Sequence, residues 1–150
     1  MRDDFLVFGQ PQIHQAEIDE VVDSMESYWL GTGPKVARFE KEFMAYTGAP
    51  NAAALSSCTA GLHLSMLALD LKEGDEVITT PLTFCATVNA IIHVGAKPVL
   101  ADVDPVTGNI DPDEIRRKIS NRTRALLPVH MTGLPCDMDE IMQIAKDHEL

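Results

Sequence analysis

From Asn51 onward, short and continuously apolar runs alternate with segments of helical periodicity, and few folds accept that texture. The strand-like runs are 52–55, 76–79, 98–101 and 125–129. Between them fall helical patterns. One follows Ser56-Ser57-Cys58-Thr59 through Leu62, Met66 and Leu69; another is capped by Thr83 and runs to about Val94, with Gly95 closing it. A third opens at Asp111-Pro112-Asp113-Glu114, with Pro at the first helical position and Glu at the third. A fourth opens at Asp137, with Glu140 three residues on, and continues through Ile141 and Ile144. Continuously apolar strands joined by helices predict an α/β fold, a mostly parallel sheet with helices on both faces.

The first third reads differently. Ile13, Ala16, Ile18, Val21, Val22 and Met25 recur at helical spacing with acidic residues between them, ending around Tyr28-Trp29-Leu30 before the breaker Gly31-Thr32-Gly33-Pro34. A second helix starts at Pro34, carries Val36, Phe39, Phe43 and Met44, and stops near Thr47-Gly48. The expected organisation is an N-terminal helical segment, 1–50, and the first part of an α/β domain, 51–150. Leu150 follows directly on a helix where a parallel sheet would add another strand, so the domain is expected to be truncated there.

Several function classes are disfavoured. The net charge is −11 and the pI about 4.7, which repels phosphodiester backbones and predicts no nucleic-acid partner. Arg116, Arg117, Lys118, Arg122 and Arg124 form the one basic cluster, which reads as a solvated face. No apolar run approaches the ~20 residues of a membrane span. Met1-Arg2-Asp3-Asp4 is not the start of a signal peptide. Cys58, Cys85 and Cys136 are odd in number and widely spaced, which predicts neither a disulfide framework nor a metal site, and a cytoplasmic, reduced protein is expected.

Candidate chemistry lies at the carboxyl ends of the expected strands, where open α/β sheets bind ligands. Ser56-Ser57-Cys58-Thr59-Ala60-Gly61 joins a strand to a helix with small polar residues. Its backbone N–H groups suit an anion, although the segment also reads as a capped helix start. It lacks the glycines of a dinucleotide fingerprint and a P-loop lysine, which disfavours a nicotinamide enzyme. Phe84, after the next strand, could stack on a planar cofactor, while on the residues alone a buried core phenylalanine is the better reading. His130, after a third strand, reads equally as a ligand contact or a hydrogen-bonded structural histidine. His14, His63, His93 and His148 show no metal spacing.

Five segments in one order carry more than their separate physics. They are Trp29-Leu30-Gly31-Thr32-Gly33-Pro34; Ser56 to His63; Gly74 to Pro81 with Thr83-Phe84; Gly95-Ala96-Lys97-Pro98-Val99 leading to Asp102-Val103-Asp104; and Pro128-Val129-His130 with Gly133, Pro135 and Asp137-Met138-Asp139. Together they resemble the DegT/DnrJ/EryC1/StrS aminotransferase family from about Gly9 to Leu150. The resemblance implies a fold-type I pyridoxal 5'-phosphate (PLP) enzyme, a homodimer that aminates a nucleotide-linked keto-sugar with glutamate as amino donor, as in polysaccharide biosynthesis. It places Cys58 and Thr59 at the cofactor phosphate and Phe84 on the pyridine ring. It sets Thr32 and Gly33 in a loop near the sugar entrance. It also implies that the pyridinium-binding Asp and the Schiff-base Lys fall beyond Leu150. No catalytic residue is therefore expected in this chain, which alone should be inactive. Relatives of this kind include dehydratases as well. The alternative is a stand-alone, non-catalytic α/β module that binds a phosphate ligand or a protein partner.

Overall fold

The computed structural model describes residues 9–150, which divide between Ala54 and Leu55 into two compact units. Met1 to Asp4, read above as no signal peptide, and the rest of the first eight positions of the expected helical segment lie outside the described residues.

In the first unit, α1 spans Gln15–Glu26 and α2 spans Pro34–Thr47. The first helix stops short of the expected Tyr28–Leu30. Tyr28 adopts φ 59°, a left-handed conformation that a continuing helix excludes. Trp29 then turns back so that its Nε1–H donates to the Thr32 carbonyl at 2.9 Å. Pro34 takes the first position of α2, and Gly48, at φ 73°, closes it by donating to the Met44 carbonyl. Lys35 bonds Glu20 (2.6 Å) and Asp23 (2.8 Å), and Arg38 bonds Glu20 (2.7 Å), so the two helices are clamped by charge. Those cations pull the Glu20 carboxyl down to about 2, with the Lys35 hydrogen bond the largest cause.

In the second unit, α3 spans Cys58–Ala68, β1 Glu76–Thr79, α4 Ala86–His93, β2 Lys97–Leu100, α5 Pro112–Lys118, β3 Thr123–Leu127 and α6 Met138–Asp147. The strands form one parallel sheet in the order β2-β1-β3. Side chains of a strand alternate between faces, and β1 shows the consequence. Val77 packs with Met66 of α3 and Ala90 and Ile91 of α4. Ile78 packs on the opposite face with Ile115 of α5 and Ile141 and Ile144 of α6. Both are fully buried. The expected α/β fold with helices on both faces is thus the observed one.

Three expectations need correction. Residues 52–55 form no strand, because none of the described strands offers them a ladder, and extended backbone becomes sheet only with a partner's N–H and C=O groups. Ala54 N–H donates instead to the Glu40 carboxylate at 2.8 Å. Thr83 caps no helix. A turn held by Leu82 N–H donating to Thr80 Oγ1 (3.2 Å) delays α4 to Ala86, and the Thr83 hydroxyl pairs with that of Thr87 (2.8 Å). Finally, β2 and β3 start one and two residues earlier than expected. Glu76, the first residue of β1, pairs with Lys97 on one side and Thr123 on the other, so the central strand sets where its neighbours begin. The caps at Asp111 and Asp137 form as expected, accepting from Asp113 N–H (2.8 Å) and Glu140 N–H (3.3 Å).

Candidate functional site

A cleft of about 360 Å³ opens at the carboxyl end of the sheet. Its walls are the loop after β1 (Leu82, Thr83, Phe84), the segment after β3 (Val129 to Thr132) and the start of α3 (Cys58, Thr59). The position follows from topology. The helix after β1 packs on one face of the sheet, and the helix after β3 packs on the other. β1 and β3 are neighbours, so their connections diverge and leave a crevice at their carboxyl ends.

The floor of the cleft is a helix N-terminus whose first donors have no acceptor among the described residues. Ser57 caps α3 by accepting from Ala60 N–H at 3.1 Å. The first intrahelical bond runs from Gly61 N–H to the Ser57 carbonyl. Cys58 and Thr59 precede it, so their N–H groups have no intrahelical acceptor and carry the positive end of the helix dipole. Both residues are exposed. The Ser57 hydroxyl oxygen accepts as the cap, which leaves its O–H free to donate. This donor set fits a phosphate.

The buried-core reading of Phe84 does not hold among the described residues. Its ring is 77% exposed at the rim of the cleft, so it is not a core residue. Its carbonyl accepts from Thr87 N–H (3.1 Å), fixing the backbone that presents the ring. His130 is hydrogen-bonded, as its structural reading expected, and it also borders the cleft. Its Nδ1 accepts from Cys136 N–H at 3.0 Å. That bond leaves the ring proton of neutral His130 on Nε2. The Cys136 Sγ donates to the Val129 carbonyl (3.2 Å), and burial raises the pKa of this thiol.

Cys58, Thr59 and Phe84 are therefore brought into one cleft. Thr32 and Gly33 belong to the first unit, beside a second cleft of about 480 Å³ lined by Ser24, Ser27, Trp29, Leu30, Lys35 and Arg38 among others. A Cβ on Gly33 would lie 1.9 Å from Trp29 Nε1, so the indole requires glycine there. The basic cluster is largely neutralised: Arg116, Arg117, Arg122 and Arg124 each join an ion pair. No group of three metal-ligating side chains occurs among the described residues, and none of their helices is long and apolar enough to cross a membrane.

Asn109 is the residue that sequence reasoning missed. Buried at 5% exposure, it bonds the backbone of the cleft wall at Met131, Leu134 and Pro135. An asparagine following a Gly in a turn gives no signal by itself.

The family model for DegT/DnrJ/EryC1/StrS aminotransferases matches residues 11–150. The chain is 51% identical over 150 residues to an uncharacterised protein of Methanocaldococcus jannaschii, covering all of this chain and 39% of that protein. It is also 51% identical over 149 residues to the spore coat polysaccharide biosynthesis protein SpsC of Bacillus subtilis, covering 99% of this chain and 38% of that protein. The chain thus spans about two-fifths of the length of these curated relatives. A Streptococcus pneumoniae protein assigned as a sugar aminotransferase, solved in PLP and PMP forms, superposes with a TM-score of 0.90 at 38% identity, over 95% of this chain and 36% of that one. With the matched residues, the parallel sheet and the crevice in agreement, the chain belongs to the DegT/DnrJ/EryC1/StrS aminotransferase family.

Proposed function

We propose that this chain is the N-terminal part of a PLP-dependent aminotransferase acting on a nucleotide-linked keto-sugar, with glutamate as amino donor. Residues 51–150 would be the first part of its cofactor domain. The observation that carries the reading is the pairing of an exposed aromatic ring, Phe84, with the free N–H groups of Cys58 and Thr59 across one cleft. Those two amides bind the phosphate dianion at the dipole's positive end. The Phe84 ring would stack on the flat face of the pyridine and exclude water from it. His130, with its proton on Nε2, offers a donor at the same wall. When bound, the cofactor supplies the electron sink for amino-group transfer. Thr32 and Gly33 are proposed to border the sugar, in the loop that Trp29 packs against.

None of the described residues lining the cleft is a lysine or an aspartate. The Schiff-base lysine and the aspartate that keeps the pyridine nitrogen protonated are proposed to lie outside residues 1–150, and the chain alone to be inactive. The sugar class rests on similarity to a spore coat polysaccharide biosynthesis protein and to an assigned sugar aminotransferase. A cytoplasmic homodimer completes the proposal. The exposed Ile18, Val21, Val22 and Met25 of α1 supply apolar surface for an interface.

The test is titration of the full-length protein with pyridoxamine phosphate, whose amine cannot form imines with surface lysines. One saturable site per chain, displaced by inorganic phosphate, is the expected result. Lack of saturable binding would overturn the assignment of the cleft.

A further inference from the structure

We propose that Asn109 is a positioning residue for the cleft, holding the wall that carries His130 from behind. The inference rests on the reading of the cleft as the cofactor site. Asn109 sits at the base of a tight hairpin. Val103 and Ile110 form an antiparallel bridge, and Asp104 N–H donates to the Asn109 carbonyl at 2.9 Å. Its side chain reaches across to residues 131–135 with three bonds. Oδ1 accepts from Met131 N–H (2.9 Å), and Nδ2 donates to the carbonyls of Leu134 (3.1 Å) and Pro135 (3.1 Å). The amide orientation is determined, because a flipped amide would set its oxygen against two carbonyl oxygens.

The clamped segment is one that would not hold this shape unaided. Thr132, a β-branched residue, stands at φ 53° and ψ 23° in the left-handed region, and Gly133 follows at φ 86°. Such a conformation persists where surrounding bonds over-determine it. The bonds of Asn109 bracket it on both sides. Immediately upstream lies His130, whose Nδ1 contact with Cys136 N–H closes the same loop. The hairpin also touches the opposite rim. A Cβ on Gly108 would lie 3.4 Å from Leu82 Cδ2 and 3.7 Å from Met131 Cγ, so the hairpin passes close to both walls at Gly108. One buried amide thus fixes the His130 ring, and one glycine spaces the two rims.

The experiment compares wild type with Asn109→Ala, Asn109→Asp and Glu76→Gln in the full-length protein. Glu76 lies at the opposite end of β1 and serves as the stability control. Nitrogen NMR of the His130 ring reports its tautomer, and pyridoxamine phosphate titration reports the cleft. In wild type the ring should hold one tautomer, protonated on Nε2. Asn109→Ala should mix the tautomers and raise the Kd about tenfold. Asn109→Asp should resemble Ala at high pH, where a carboxylate faces two carbonyls. It should recover towards wild type as pH falls and the carboxyl regains a donor. Glu76→Gln should lose stability and change neither readout. A folded Asn109→Ala with one His130 tautomer and a Kd within about twofold of wild type would overturn the proposal. Should that variant not fold, wild-type hydrogen exchange decides, since a Met131 amide exchanging at the free-chain rate also sinks the clamp. A wild type that binds no pyridoxamine phosphate but keeps a single tautomer would break the cofactor reading instead.

Discussion

At its amino end β1 begins with Glu76, only 3% exposed, yet every charge there is answered. Its carboxylate accepts from the Ser120 hydroxyl (2.6 Å) and Arg122 (2.8 Å), in the connection before β3, and from Lys97 (3.3 Å) at the start of β2. At the carboxyl end, four residues on, the chain turns into a loop with an exposed aromatic ring beside the unused N–H groups of Cys58 and Thr59. One strand therefore has a closed polar end and an open one. Satisfied buried polar groups add rigidity, whereas unsatisfied donors in a crevice await a ligand. The contrast separates residues whose loss should cost stability from those whose loss should cost binding.

The largest expected effect strikes what both ends share. Ile78→Ala, in the middle of β1 and fully buried, should destabilise the fold by about 2–5 kcal/mol in urea denaturation. A loss under ~1 kcal/mol would mean that the strand is not the common support of the two ends. Next comes the closed end alone. Glu76→Ala should cost about 2 kcal/mol, because hydrogen bonds to a charged group are broken. Arg122 and Lys97 are exposed enough to recover solvation, which keeps the cost from being larger. The Ser120 hydroxyl, then burial working against it, then Lys97 and Arg122 set the Glu76 carboxyl below its usual pKa. A depressed folded pKa contributes stability that is present above the unfolded value, about 4.3, and is lost as pH falls through the folded one. Stability plotted against pH should therefore fall more steeply below about pH 4.3 in wild type than in Glu76→Gln. Parallel acid limbs would remove Glu76 from the account.

The closed end and the open end were not equally legible in the sequence. Local signals read well: Pro34 and Gly48 bound α2, and Asp111 and Asp137 cap their helices, since caps depend on a few neighbouring residues. The parallel sheet followed from apolar runs alone. The order β2-β1-β3 did not, because a crossover pattern does not say on which side a strand docks. The crevice depends on that order. Residues 52–55 failed as a strand for a related reason, their apolar character being visible and their want of a partner not. At the site, Ser57 to Thr59 were legible as a helix start. The exposure of Phe84 was not, because aromatic residues in loops more often pack inward. Asn109 was invisible, its partners lying 22 to 26 positions away.

Phe84→Ala tests the open end without touching the closed one. A ring that is 77% exposed contributes little to the fold, so stability should stay within about 0.5 kcal/mol of wild type. Affinity of the full-length protein for pyridoxamine phosphate should fall by about 1–3 kcal/mol, from lost stacking and burial. Titration calorimetry beside urea denaturation separates the two. Unchanged affinity would return Phe84 to an incidental surface residue. A large loss of stability would instead make the two ends of β1 alike.

The smallest effect sits where the two kinds of loss meet. Ser57→Ala removes the cap that accepts from Ala60 N–H, and should cost about 1 kcal/mol in the ligand-free protein. The freed N–H then joins those of Cys58 and Thr59 at the same helix terminus. A bound phosphate presents several acceptor oxygens there and can replace the missing hydroxyl. The destabilisation by Ser57→Ala should therefore shrink in saturating pyridoxamine phosphate, because binding to the folded state alone stabilises by linkage. An undiminished difference would mean that the phosphate does not reach this end of α3. The unused donors of Cys58 and Thr59 would then be served by water alone.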